Sequence, residues 1–178
     1  MPQGKRGKDR WLLWFGCPLI LVVLILFLFS PQIFLRLENA ETHVPLFWVD
    51  IRGNEPFSLA FRHSYDKDMY IEHYKVSEGK AIYLVGLTFK SDLNGQGFIF
   101  PSANYFSNGW GTLQGLHEKM ASVSFIMGSP DEANHSLTID HREYFLTRYV
   151  SPGTPVALKV VTARKISVLA WRVERWMN

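Results

Sequence analysis

The chain has 178 residues, of which 47% are hydrophobic, 15% aromatic and 20% charged, and this length and apolar content exclude both a two-domain enzyme with its own cofactor fold and a disordered chain. The only cysteine, Cys17, excludes an intramolecular disulfide. The net charge of +3 comes entirely from residues 1–10, so the remainder is formally neutral and lacks the basic surplus that nucleic-acid binding requires.

The first predicted element is a membrane anchor. Residues 11–29 contain no charge, and as a helix they would span roughly 28 Å, close to the hydrocarbon thickness of a bilayer. Trp11 and Trp14 stand at one end of this segment and Phe29 ends it. Because residues 1–10 are basic, the positive-inside rule places them in the cytoplasm. The sequence therefore predicts a single-pass protein of the bacterial cytoplasmic (inner) membrane with an extracytoplasmic domain.

A cleaved signal peptide is the alternative interpretation of the same segment. Its basic start fits, but the apolar region of a signal peptide usually has about 7–15 residues, and this one is longer. No convincing pair of small residues for cleavage follows it. An uncleaved anchor is the preferred interpretation, with the lipid bilayer as a partner.

After the anchor we predict a stem over residues 30–45, with an acidic patch at Glu38 and Glu41, and a β-domain over residues 46–178. Several segments alternate between apolar and polar residues, residues 81–89 are nearly all apolar, and Gly, Pro, Asn and Asp turns separate the segments. This spacing is typical of an all-β fold, either an antiparallel β-sandwich or a partly open barrel. Residues 112–120 are the exception, where a helical turn is considered. The predicted strands cover residues 57–61, 70–76, 81–89, 122–127, 136–139, 144–150 and 156–161.

The C-terminal residues 164–178 fit either a helix or a strand. A helix places Ile166, Leu169, Val173 and Trp176 along one stripe, whereas a strand gives another apolar face. We prefer a last element that closes the core. Contact with the membrane surface or a membrane partner is the alternative, because basic residues are interleaved with tryptophan.

The densest cluster of polar residues contains His63, Ser64, Asp66, Asp68 and Glu72. In a functional interpretation, the histidine acts as a base and the serine as a nucleophile, or the carboxylates bind a cation. Adjacent strand residues point to opposite faces, however, and the loop glycine and distal glutamate of a calcium loop are missing. We therefore favour a core histidine at a strand end and a solvated hairpin.

No other pattern in the chain indicates a cofactor or a metal. The remaining histidines lack zinc-ligand spacing, and the sequence has neither a phosphate-binding loop nor a dinucleotide fingerprint. The sequence thus predicts no cofactor, no metal site and no catalytic residue.

Several motifs resemble the bacterial family called domain of unknown function 1850. They are Phe-Ser-Leu-Ala-Phe-Arg-His-Ser over residues 57–64, then Glu72 and Tyr74, Leu-Thr-Phe-Lys-Ser over residues 87–91 leading to a candidate loop at Gly95 and Gly97, and Ala-Asn-His-Ser-Leu-Thr over residues 133–138. The resemblance covers residues 49–161. It implies a small exported or anchored protein that is often encoded beside TAXI-type tripartite (TRAP) transporters, and it brings no catalytic residues.

Two functions remain open at this point. The first is a non-enzymatic accessory subunit of such a transporter, contacting its solute receptor or its membrane subunit. The second is an extracytoplasmic ligand- or cation-binding domain, or a hydrolase, centred on His63, Asp66 and Asp68.

Overall fold

The computed structural model describes residues 8–63, 67–77, 80–90, 104–105 and 109–177, and the side chains of these residues except 8–17 and 105. Two compact units divide the chain. Residues up to Gln32 together with those from Thr162 form the first unit, and Ile33–Val161 form the second. The second unit contains most of the β-structure.

Two helices characterise the first unit. Helix α1 (Lys8–Phe29) contains Pro18 and ends where the Ser30 hydroxyl donates a hydrogen bond to the carbonyl of Phe27, 2.7 Å away. The C-terminal segment forms helix α2 (Lys165–Met177), so the helix and not the strand is the correct alternative for it. Among the described residues, no helix combines the length and the apolar character that a membrane crossing requires.

The second unit consists of two β-sheets, with predominantly antiparallel pairing. The strands are β1 (Pro31–Asn39), β2 (Pro45–Asp50), β3 (Pro56–Arg62), β4 (Met69–Val76), β5 (Ile82–Lys90), β6 (Asn104–Tyr105), β7 (Trp110–Met120), β8 (Val123–Ile126), β9 (Ser136–Ile139), β10 (Arg142–Phe145) and β11 (Pro155–Arg164). The smaller sheet has the order β2-β1-β11-β8, and the larger has the order β10-β9-β3-β4-β5-β7-β6. A short 3-10 helix, Leu146–Arg148, follows β10.

The hydrophobic core contains side chains from both sheets, which confirms the predicted β-sandwich. Leu35 and Leu37 of β1 and Leu158 of β11 belong to the same buried cluster as Phe57 of β3 and Tyr74 of β4. The rings of Phe57 and Tyr74 stack with centroids 5.0 Å apart. The alternation read along β3 therefore places Phe57 and Leu59 in the core and leaves Ser58 on the outer face of the larger sheet.

The segment predicted as a stem differs in the structure. Residues Pro31–Asn39 form β1, in which Leu35 and Leu37 are fully buried, so the β-structure begins well before residue 46. Glu38 is fully buried too, on the face of β1 that also carries Arg36. Glu38 is therefore not part of an exposed acidic patch.

The helical turn considered for residues 112–120 is wrong, because these residues belong to β7. Gly86 pairs with Gln114 and Leu84 pairs with Glu118, so β7 bulges between the two pairs. Gly115 lies in this bulge with φ of 78°, a conformation that glycine adopts without steric cost. The glycine that weakens the helical pattern is the one that the bulge requires.

The C-terminal helix does not bury its predicted apolar stripe. Val168 is buried, but Leu169, Val173 and Trp176 are exposed. The preferred interpretation of this segment as an element closing the core is therefore wrong along that stripe.

Candidate functional site

Of the residues in the predicted cluster around His63, His63 and Asp68 are described between β3 and β4, and they contact each other through the backbone. The His63 N–H donates to the carbonyl of Asp68 at 2.8 Å, and the Lys67 N–H donates to the carbonyl of His63 at 3.0 Å. Asp68 faces Lys90 with an N–O distance of 3.9 Å. Ser64 and Asp66 lie outside the described residues.

A metal site is not formed by the residues that the structure describes, since no three His, Cys, Asp or Glu side chains among them come together. The other predicted positions add little. Gly95 and Gly97 lie outside the described residues, as do the side chains of Trp11 and Trp14, while Phe29 is 49% exposed at the end of α1.

Glu72 lies on the inner face of β4, opposite the core residue Leu59 of β3. Its carboxylate accepts a hydrogen bond of 2.7 Å from the Tyr74 hydroxyl. Burial raises the pKa of Glu72, and this hydrogen bond offsets part of the rise. Burial and the nearby Glu72 charge raise the pKa of Tyr70 to about 12 and raise that of Tyr74 as well. Glu72 therefore keeps its proton to a higher pH than an exposed glutamate, and the two neighbouring tyrosines are neutral.

On the outer face of the same sheet, a hydrogen-bonded row joins three strands. His73 of β4 lies between Ser58 of β3 and Thr88 of β5, with Nδ1 3.0 Å from the serine Oγ and Nε2 2.8 Å from the threonine Oγ1. Burial lowers the pKa of His73, so the ring is neutral, and it donates to one hydroxyl and accepts from the other. Sequence analysis missed this row because its members are fifteen residues apart.

The contact between Ser58 and His73 brings a hydroxyl to a base, but the third member limits its chemistry. In a catalytic triad a carboxylate stabilises the imidazolium that forms when the histidine takes the proton. Here the second ring nitrogen faces the hydroxyl of Thr88, which carries no negative charge. The row therefore suits hydrogen bonding to a polar ligand better than nucleophilic catalysis.

A cleft of about 270 Å³ opens beside Ser58. Glu55 and Asp140 give it an acidic rim, and Thr138, the cross-strand neighbour of Ser58, adds a second hydroxyl. Asp140 and His141 form the two-residue turn between β9 and β10 with φ of 46° and 61°, as in a tight hairpin. The cleft thus combines carboxylates and hydroxyls, which suit a small cationic or hydroxylated molecule.

His135, by contrast, is part of the packing. Its ring stacks between Phe61 and Phe125 at centroid distances of 5.4 and 4.7 Å. Nδ1 accepts the N–H of Gly128 at 3.2 Å, and burial lowers the pKa of this histidine to about 4. A neutral ring with this hydrogen bond stabilises the loop before β9.

A buried ion cluster occupies the smaller sheet. Glu38 is fully buried and accepts a hydrogen bond of 2.6 Å from the Lys159 ammonium on the neighbouring strand β11. Arg36 donates to its other oxygen, and His43 Nδ1 lies 3.3 Å from the first. The cluster links β1 to β11.

The fold and site define a two-sheet antiparallel β-domain with a polar row and a cleft on the outer face of its larger sheet. Residues 57–146 of this domain match the family model described as Domain of unknown function (DUF1850). The chain therefore belongs to this family, as its motifs indicated. Comparison with curated proteins and with solved structures gives no match.

Proposed function

We propose that the protein is a membrane-anchored, extracytoplasmic accessory subunit of a TAXI-type TRAP transporter, with no catalytic activity of its own. The β-domain would contact the solute receptor or the membrane subunit. The observation that supports the membrane anchor in this proposal is the exposure of residues 19–27 of α1, which are all apolar and between 45% and 69% exposed. A continuous apolar surface of this kind requires a cover of lipid or protein.

The proposed anchor comprises these nine exposed residues, the eight that precede them in the sequence and the two that follow. Residues 11–29 are free of charge, and α1 contains all of them. The basic residues before them favour a cytoplasmic N-terminus and an extracytoplasmic β-domain. An anchor of this kind would hold the domain beside a transporter in the same membrane, so that weak contacts become effective through high local concentration.

Alkaline extraction of native membranes tests the anchor. The wild-type chain should stay in the membrane fraction, whereas the double variant Leu21→Arg/Leu24→Arg should be released. Two arginines in the middle of a spanning helix cost about 5–7 kcal/mol, which offsets the insertion free energy of about 4–8 kcal/mol from the Leu, Ile, Val and Phe residues of this segment. Thr42→Arg, an exposed position outside the apolar segment, is the matched control and should behave like the wild type. Release of the wild type would contradict the anchor.

Co-purification tests the partner. The tagged full-length chain, extracted in a mild detergent, should bring transporter subunits with it, and an unrelated single-span protein with the same tag should not. Recovery of the chain alone in several detergents would contradict the accessory role.

A second candidate is an extracytoplasmic ligand-binding domain. The cleft beside Ser58 favours a version that binds a small molecule, whereas a cation site at His63 and Asp68 would lie outside the lining of this cleft. Its cation-binding version around His63 and Asp68 is tested by calorimetric titration with Ca²⁺. Binding that disappears in His63→Ala while the thermal midpoint stays unchanged would support that version. Absence of binding to the wild type, or a large loss of stability in the variant, would contradict it.

A further inference from the structure

Helix α2 has an apolar stripe that the described part of the chain leaves uncovered. Leu169, Val173 and Trp176 follow one another at helical spacing and are 45%, 54% and 88% exposed. Exposed apolar side chains that follow a single face of a helix are typical of a docking surface.

The start of α2 contacts the end of α1. The Lys165 ammonium lies 3.3 Å from the ring centroid of Phe27, and the Arg164 guanidinium carbon lies 5.8 Å from that of Phe29. These cation–π contacts hold the first turn of α2 beside the last turn of α1. If α1 crosses the membrane as proposed above, α2 therefore begins at the level of the outer headgroups.

The charges of α2 complement anionic lipid. Lys165, Arg172 and Arg175 oppose a single acidic residue, Glu174. The Arg175 guanidinium lies 5.6 Å from the ring centroid of Trp171. Helices that lie in the plane of a membrane surface typically combine basic side chains, tryptophan and a narrow apolar stripe, as α2 does.

We propose that α2 lies on the extracytoplasmic surface of the membrane that α1 crosses, with Leu169, Val173 and Trp176 inserted at the boundary between headgroups and acyl chains. This inference rests on the proposed anchor. It gives the protein a second lipid contact next to the first. Two contacts would restrict the rotation of the first unit about the axis of α1.

Spin labelling of the full-length chain in vesicles of phosphatidylethanolamine and phosphatidylglycerol tests the proposal. In a Cys17→Ser background, a nitroxide is placed at Val173 on the stripe, at Glu174 as the matched control on the polar side, or at Leu24 in the proposed anchor. Accessibility to oxygen and to a water-soluble nickel complex is then compared. We expect the ratio of oxygen to nickel accessibility to be several-fold higher at position 173 than at position 174, and high at position 24.

The outcomes separate the two proposals. Equal nickel accessibility at positions 173 and 174 would place the stripe in water and overturn the inference. A label at 173 that neither reagent reaches would also overturn it, since a second copy or another protein would then cover the stripe. In both cases a lipid signal at position 24 would leave the anchor intact. Aqueous accessibility at position 24, with failure of the chain to float with the vesicles, would overturn both proposals.

Discussion

Replacing Glu38 by glutamine removes the negative charge from the centre of the buried ion cluster while keeping the size of the side chain. The variant leaves Lys159 and Arg36 next to each other without their shared counter-ion. His43 contributes little to the comparison, because its side chain is 68% exposed. The substitution should therefore weaken the contact between β1 and β11 in the smaller sheet and lower the free energy of unfolding.

The expected cost follows from the burial of the partners. Removing one member of a fully buried ion pair costs about 3–5 kcal/mol. The side chains of Lys159 and Arg36 remain 34% and 26% exposed, so both cations can reach water and the cost falls to about 2–3 kcal/mol. For a domain of this size, that loss lowers Tm by about 8–12 °C.

The same cluster predicts the pH dependence of stability. Burial alone would raise the pKa of Glu38, but the hydrogen bond from Lys159 and the charge of Arg36 outweigh it and lower the pKa below the usual value of 4.5. The folded protein thus binds this proton more weakly than the unfolded chain. The contribution to stability is complete above about pH 4.5 and is lost as the pH falls through the folded-state pKa.

Thermal unfolding of the full-length chain in detergent, followed by circular dichroism, measures these effects. Glu41→Gln is the matched control, because Glu41 lies three residues after Glu38, carries the same charge and is exposed. It should change the unfolding free energy by less than about 0.5 kcal/mol. A similarly small effect of Glu38→Gln near neutral pH, or an effect that persists undiminished in acid, would refute the reasoning.

Three further predictions concern the larger sheet. Burial raises the pKa of Glu72, so its deprotonation lowers the free energy of unfolding as the pH rises above about 4.5. The difference in unfolding free energy between Glu72→Gln and the wild type, measured in urea, should therefore shift in favour of the variant as the pH rises through that range. Ser58→Ala should lower the free energy of unfolding by about 1 kcal/mol, and its effect should not add to that of His73→Ala in a double-mutant cycle. The pKa of the His73 ring, followed by NMR, should lie below 6.5. Gly86→Ala should cost about 1–3 kcal/mol, because its Cβ would lie 2.8 Å from the backbone oxygen of Leu113; an unchanged unfolding midpoint would contradict this.

The sequence alone was sufficient for the class of fold and for many of its elements. Alternation along Phe57, Leu59 and Phe61 correctly predicted β3, and the turns expected between the predicted strands include the one that Asp140 and His141 form. These signals are local, since strand period and turn conformation depend on neighbouring residues. The motifs also indicated the family.

Position within the sheets required the tertiary structure. Glu38 is buried where the pairing of β1 with β11 brings Lys159 to its carboxylate, and no local pattern distinguishes that glutamate from an exposed one. In the same way, Ser58 and Thr88 meet His73 only because the register of three strands aligns them. Residue periodicity therefore determined which segments of this protein are strands, whereas long-range pairing decided which polar side chains meet, because register depends on partners that are distant in the chain.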